Sequence, residues 1–133
     1  MSEDPRKILA LYRLSKAKER LHSSESLLAA GDYADSIGRS YYAVFTSARA
    51  VLAIQGVDSK RHSGVIALFN EHYIKTGLLS KDVYRIISGA KAKRERAEYE
   101  DYVEFSRFEA EDQLVKAKEF VRHIEDALCG LSG

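Results

Sequence analysis

Apolar side chains recur at intervals of three and four along nearly the whole chain, a period that builds helices and leaves little room for strands. The cleanest stripe is Ala34, Ile37, Tyr41, Phe45, Ala48 and Leu52, one face of a single helix. The same spacing joins Leu14, Ala17, Leu21, Ser24 and Leu28 before it, and Val65, Ile66, Phe69, Tyr73 and Ile74 after it. Val83, Ile86, Ile87 and Ala90 continue the pattern, and Ala110, Leu114, Ala117, Val121, Ile124 and Leu128 complete it. No segment of useful length alternates as a strand would.

Punctuation between the stripes agrees with this division. Asp4-Pro5 offers an N-cap carboxylate followed by proline at the first helical position, where a missing N–H is harmless. Gly31 ends that helix and Asp32 can cap the next, which Gly56 closes. His62 or Ser63 opens a third, shorter helix before Gly77, and Ser80 caps a fourth. Ser106 and Glu109 have the capping-box spacing that starts the last. The fold predicted is all-α, an up-and-down antiparallel helical bundle of about five helices in a single domain spanning 1–133. The first, second and fifth helices should be longest, with the third packed across them. Gly38 breaks the rule inside the second helix, at a cost of about 1 kcal/mol against alanine, so it permits either a close helix crossing or room for a ligand.

Charge narrows the function classes. Lys and Arg total 21 against 20 for Asp and Glu, a net charge of +1, so no global field draws in a polyanion and any such site must be a local patch. Cys129 is the single cysteine, which excludes a disulfide framework within the chain and a cysteine-based zinc cluster. No apolar run approaches the ~18 residues of a membrane span, and the expectation is a cytoplasmic protein without membrane contact. His22, His72 and His123 lack partners at metal-ligand spacing, so no metal is expected, and no cofactor motif is present.

Three blocks carry candidate chemistry. In the first, Tyr41 and Tyr42 point about 100° apart on a helix, so Tyr41 belongs to the core while Tyr42, with Arg39 and Arg49, lies on the flank. In the second, Lys60, Arg61, His62 and Ser63 sit at a helix start, where free N–H groups favour an anion and where a histidine can also serve simply as a cap. The third, 94–102, has Arg94 and Arg96 at the end of a helix, followed by Tyr99, Asp101 and Tyr102. Arginine can fork a phosphate, and tyrosine can stack on a base or donate to a phosphate. Self-pairing with Glu98, Glu100 and Asp101 is the plainer reading of the same residues.

Taken together, Tyr41-Tyr42-Ala-Val-Phe45 with Ala48-Arg49, His62-Ser-Gly-Val-Ile, and Arg94-x-x-Ala97-Glu98-Tyr99 resemble the HEPN domain, closest to its small single-domain prokaryotic members, over roughly residues 6 to 128. The resemblance implies a helical bundle that often forms a homodimer and often works beside a minimal nucleotidyltransferase in a toxin-antitoxin-like pair. Many members are metal-independent ribonucleases whose signature is an arginine, four to six residues, then a histidine. None of His22, His62, His72 or His123 has an arginine five to seven positions before it, and Tyr99 stands where Arg94 would require the histidine. An unperturbed phenol, with a pKa of about 10, exchanges protons poorly near neutrality.

Binding therefore outranks catalysis. The resemblance and the residues together imply a nucleotide- or RNA-binding module in which Arg94, Arg96, Tyr99 and Asp101 line the site, with His62 and Tyr42 contributing. Two alternatives stand beside it. One is a ribonuclease toxin with a degenerate site that uses His62 or Tyr99, and the other a structural module that only docks a protein partner.

Overall fold

The computed structural model describes residues 4–132. Five α-helices follow one another: α1 (Pro5–Ala29), α2 (Tyr33–Ile54), α3 (His62–Phe69), α4 (Lys81–Tyr99) and α5 (Arg107–Ser132), with a π-helical turn, Asn70–Ile74, continuing α3. Among the described residues there is no strand, and no helix is long and apolar enough to cross a membrane. The long elements are α1, α2 and α5, as the stripes predict.

The caps act at two of the five expected helix starts. Asp4 Oδ1 accepts the Arg6 N–H at 3.0 Å, ahead of proline. At α5 the capping box is reciprocal: the Glu109 N–H donates to Ser106 Oγ at 3.1 Å and the Ser106 N–H to Glu109 Oε1 at 3.3 Å. Asp32 and Ser80 occupy the N-cap positions of α2 and α4 without a side-chain bond. Asp32 has φ −89° and ψ 72°, outside the extended region from which a cap side chain reaches the second or third helical N–H.

Ion pairs fix the direction of packing. Lys18 meets Glu125 at 2.6 Å and Glu25 meets Lys118, so α1 and α5 run antiparallel. Such exposed pairs contribute ~0–1 kcal/mol each, and stability comes instead from the core. That core centres on α2, which packs against α1, α3, α4 and α5. Tyr41, Leu52, Phe69, Tyr73, Phe120 and Ile124 are all fully buried in it, and each such side chain contributes roughly 1.5–3 kcal/mol relative to exposure.

Small hydroxyls let α1 and α2 approach closely. Ser24 Oγ donates to the Ser36 carbonyl at 2.8 Å and lies 2.7 Å from Ser40 Oγ, while Ser36 Oγ donates to the Ser24 carbonyl at 2.9 Å. All three serines are buried, and the ring of bonds removes the penalty of burying them. The π turn after Phe69 sets Tyr73 inward, where its hydroxyl donates to the Val51 carbonyl at 2.6 Å.

Candidate functional site

The polar side chains singled out in the sequence gather where α2, α3 and α4 meet. Tyr41 is fully buried and Tyr42 half-buried, the division expected from their 100° separation on α2. His62, the first residue of α3, does not act as a cap. Its Nδ1 lies 2.8 Å from the Tyr41 hydroxyl, and its ring stacks on Phe45 with centroids 4.1 Å apart.

The preceding loop holds that position. Asp58 receives Arg49 at 2.9 Å and Arg13 at 3.2 Å, pinning the loop to α2 and α1. Gly64 completes the turn, because a Cβ there would collide with the Ser59 side chain folded back over the start of α3.

From α4, Arg94 lies across the tyrosines. Its guanidinium carbon is 5.3 Å from the Tyr41 ring centroid, 5.5 Å from that of Tyr42 and 5.8 Å from that of Tyr99, and Nη2 donates to the Tyr42 hydroxyl at 3.0 Å. Nε is 3.1 Å from Glu98 Oε2 yet makes no aligned hydrogen bond, so that contact is a charge pairing rather than a directed bond. Nη1 takes no partner among the described residues. The helix continues through Tyr99 instead of ending near Arg96, which puts Arg94 and Glu98 one turn apart. Sequence reasoning left Glu98 out of the site, although the four-residue spacing from Arg94 was there to be read.

Of the six binding residues expected, Arg94, Tyr42, His62 and Tyr99 come together. Arg96 does not join them: its Nε is 3.3 Å from Glu100 and its guanidinium covers Phe105. Asp101 is exposed in the turn beyond α4, and Tyr102 after it is fully exposed with φ 60°. Two clefts border the cluster. One, of about 570 Å³, is lined by Phe45, Arg49, Lys60 and His62, and the other, of about 450 Å³, by Gly38, Arg39, Tyr42 and Glu98. No group of His, Cys, Asp and Glu among the described residues is arranged to hold a metal ion.

Electrostatics decide the protonation states. Burial pushes the Tyr41 hydroxyl above the ordinary phenol range, with Arg94 opposing, so the proton stays on oxygen. Its only acceptor among the described residues is His62 Nδ1. A phenol donating there leaves the imidazole proton on Nε2, which has no partner among the described residues. Burial, then the charges of Arg94, Lys91 and Arg49, hold the His62 pKa below its usual value against the pull of Glu98. The ring is therefore neutral near pH 7 and, with Tyr41 donating to Nδ1, presents an N–H donor at Nε2.

A stability consequence follows from the direction of that shift. As pH falls, the unfolded chain takes up the proton before folded His62 does, which favours unfolding. The stabilisation is complete above the unfolded midpoint of about 6.5 and is lost as pH drops from there through the folded midpoint. Melting of the wild type between pH 7.5 and 5 should show this loss, and His62→Gln should flatten it. An unaltered pH profile in the variant would contradict the assignment.

The chain belongs to the HEPN domain family, whose model matches residues 10–127. A UPF0332 protein of Thermotoga maritima is 32% identical over 119 residues, covering 90% of this chain and 89% of that protein. Two proteins of Methanocaldococcus jannaschii, each named "putative toxin", are similar as well. One is 32% identical over 108 residues, with 81% and 74% of the two chains covered, and the other 33% identical over 112 residues, with 84% and 83% covered.

Proposed function

We propose that this protein is a toxin-like HEPN domain that holds the phosphate of a nucleotide or RNA on Arg94, with Tyr42, Tyr99 and His62 around it, and that it binds without cutting. The observation that carries the reading is that Arg94 and His62, from two different helices, both pack against Tyr41 and Tyr42, with Arg94 Nη2 donating to the Tyr42 hydroxyl and His62 Nδ1 paired with that of Tyr41, so that Arg94 Nη1 and His62 Nε2 are left without partners among the described residues. Both groups are donors, which suits a phosphate oxygen. With Tyr41 donating to Nδ1, Nε2 carries the proton that a cleaving base would have to accept, so in this tautomer neither group is a base. The names of the two Methanocaldococcus jannaschii relatives support the toxin-like role. On this reading the protein works as a homodimer beside a minimal nucleotidyltransferase, as the family resemblance implies.

A ribonuclease remains the second reading, favoured by one observation: His62 and Arg94 lie on the same aromatic pair, Tyr41 and Tyr42, although they are far apart in sequence. Incubation with a labelled single-stranded RNA, without added metal, separates the two. The expected result is retention of intact RNA with an affinity that falls as salt rises. Cleavage that disappears in His62→Gln would replace the binding reading with the catalytic one.

A further inference from the structure

Gly38 has no structural reason to be glycine. It lies in the interior of α2, where glycine is unfavourable relative to alanine, and its φ is not in the left-handed region. A Cβ built there would meet nothing within 4 Å, so no helix crosses closely over it. What the missing side chain leaves open is the cleft of about 450 Å³, a size usual for small-ligand sites. Its walls include the apolar Leu27, Ala34 and Ala97.

The cleft adjoins the Arg94 cluster directly. Tyr42 and Glu98 line it, and both contact Arg94, the first through its hydroxyl and the second through its carboxylate. Asp35 and Glu98 put two carboxylates on the lining, with Arg39 beside them. Carboxylates accept hydrogen bonds and repel a second phosphate, so the group that enters should be the uncharged part of a nucleotide. Guanine fits best. Its N1–H and exocyclic amine form an adjacent donor pair that matches one carboxylate, and its O6 and N7 match a guanidinium fork. Uracil presents one donor between two carbonyls.

We propose that the Gly38 cleft is the nucleoside subsite, taking an amino-bearing base with guanine preferred, while Arg94 holds the adjoining phosphate. This rests on the phosphate-binding reading above and extends it. Three probes test it by calorimetry: GMP, UMP and inorganic pyrophosphate, against wild type, Gly38→Ala and Gly38→Leu. Gly38→Ala should fold at least as stably as the wild type, since its Cβ meets nothing within 4 Å, and thermal melting of Gly38→Leu checks that the longer side chain is accommodated. Gly38→Leu should weaken GMP by about tenfold or more while leaving pyrophosphate within about twofold, and wild type should prefer GMP over UMP by about fivefold or more. Unchanged GMP binding in Gly38→Leu, an equal loss of pyrophosphate, or no preference over UMP overturns the subsite and leaves the phosphate reading intact. Failure of wild type to bind either GMP or pyrophosphate overturns both.

Discussion

Arg94→Ala should weaken binding of a short single-stranded RNA by about 30-fold or more, the consequence of removing one partner of a partly desolvated charge contact worth roughly 2–5 kcal/mol. Arg94 is enclosed by three tyrosine rings and paired with Glu98, so its fork is held in place before a ligand arrives and little ordering is left to do on binding. Arg94→Lys keeps the charge but loses the planar fork and the bond to Tyr42, and should fall between wild type and alanine. The far-ultraviolet spectrum should be unchanged in both, because the bundle core lies under the tyrosines rather than on Arg94. Adding Tyr99→Phe to Arg94→Ala should weaken binding little further, since Tyr99 is mostly exposed and acts beside the same guanidinium. Equal affinity of the double variant and wild type would remove Arg94 from the site.

The largest expected effect on stability belongs to Phe120→Ala. Phe120 is fully buried and packs against Phe69 with ring centroids 5.4 Å apart, joining α5 to the end of α3. Truncating such a ring costs about 3–5 kcal/mol, a large part of the ~5–15 kcal/mol that holds a domain together. Thermal melting should show Tm lower by roughly 10–20 °C. A decrease of only a few degrees would mean that α5 repacks over the space, contrary to a core centred on α2 and closed by α5.

Phe120 also shows how far the sequence could be read. The strict stripe of α5, from Ala110 to Leu128, names residues that are all buried, yet it passes over Phe120 because a three-and-four count samples a face narrower than the one a central bundle helix buries. Ala34 errs in the other direction: it continues the α2 stripe in sequence but is exposed and lines a cleft. Helix ends were legible wherever side chain and backbone agree, as at Asp4 and at the Ser106–Glu109 box. The end of α4 was less so. Basic residues read as a last turn, whereas the helix runs on through Tyr99 and stops only where Glu100 turns extended.

The site was legible as a set of residue types and not as a place. Tyr41 meets His62 across 21 residues and Tyr42 meets Arg94 across 52, contacts fixed by how α3 and α4 are rotated against α2. Periodicity gives each helix a face but no rotational register relative to its neighbours, so it cannot say which of two nearby arginines turns inward. Arg94 and Arg96 lie about 200° apart around α4, and packing selects Arg94 while Arg96 goes to Glu100 and Phe105. The lowered pKa of His62 was equally hidden, because it depends on burial and on the charges of Arg94, Lys91 and Arg49, drawn from two other helices.

That convergence of cations on one imidazole gives the account its most direct test. A phosphate bound at Arg94 would offset the charges that oppose protonation of His62, so ligand binding and the His62 pKa must be coupled. NMR titration of the His62 ring, with and without a saturating short RNA, measures this. The expected result is a midpoint below the ordinary histidine value in the free protein and a clear rise on binding. A midpoint that stays the same when RNA is fully bound would place the ligand elsewhere and contradict the site.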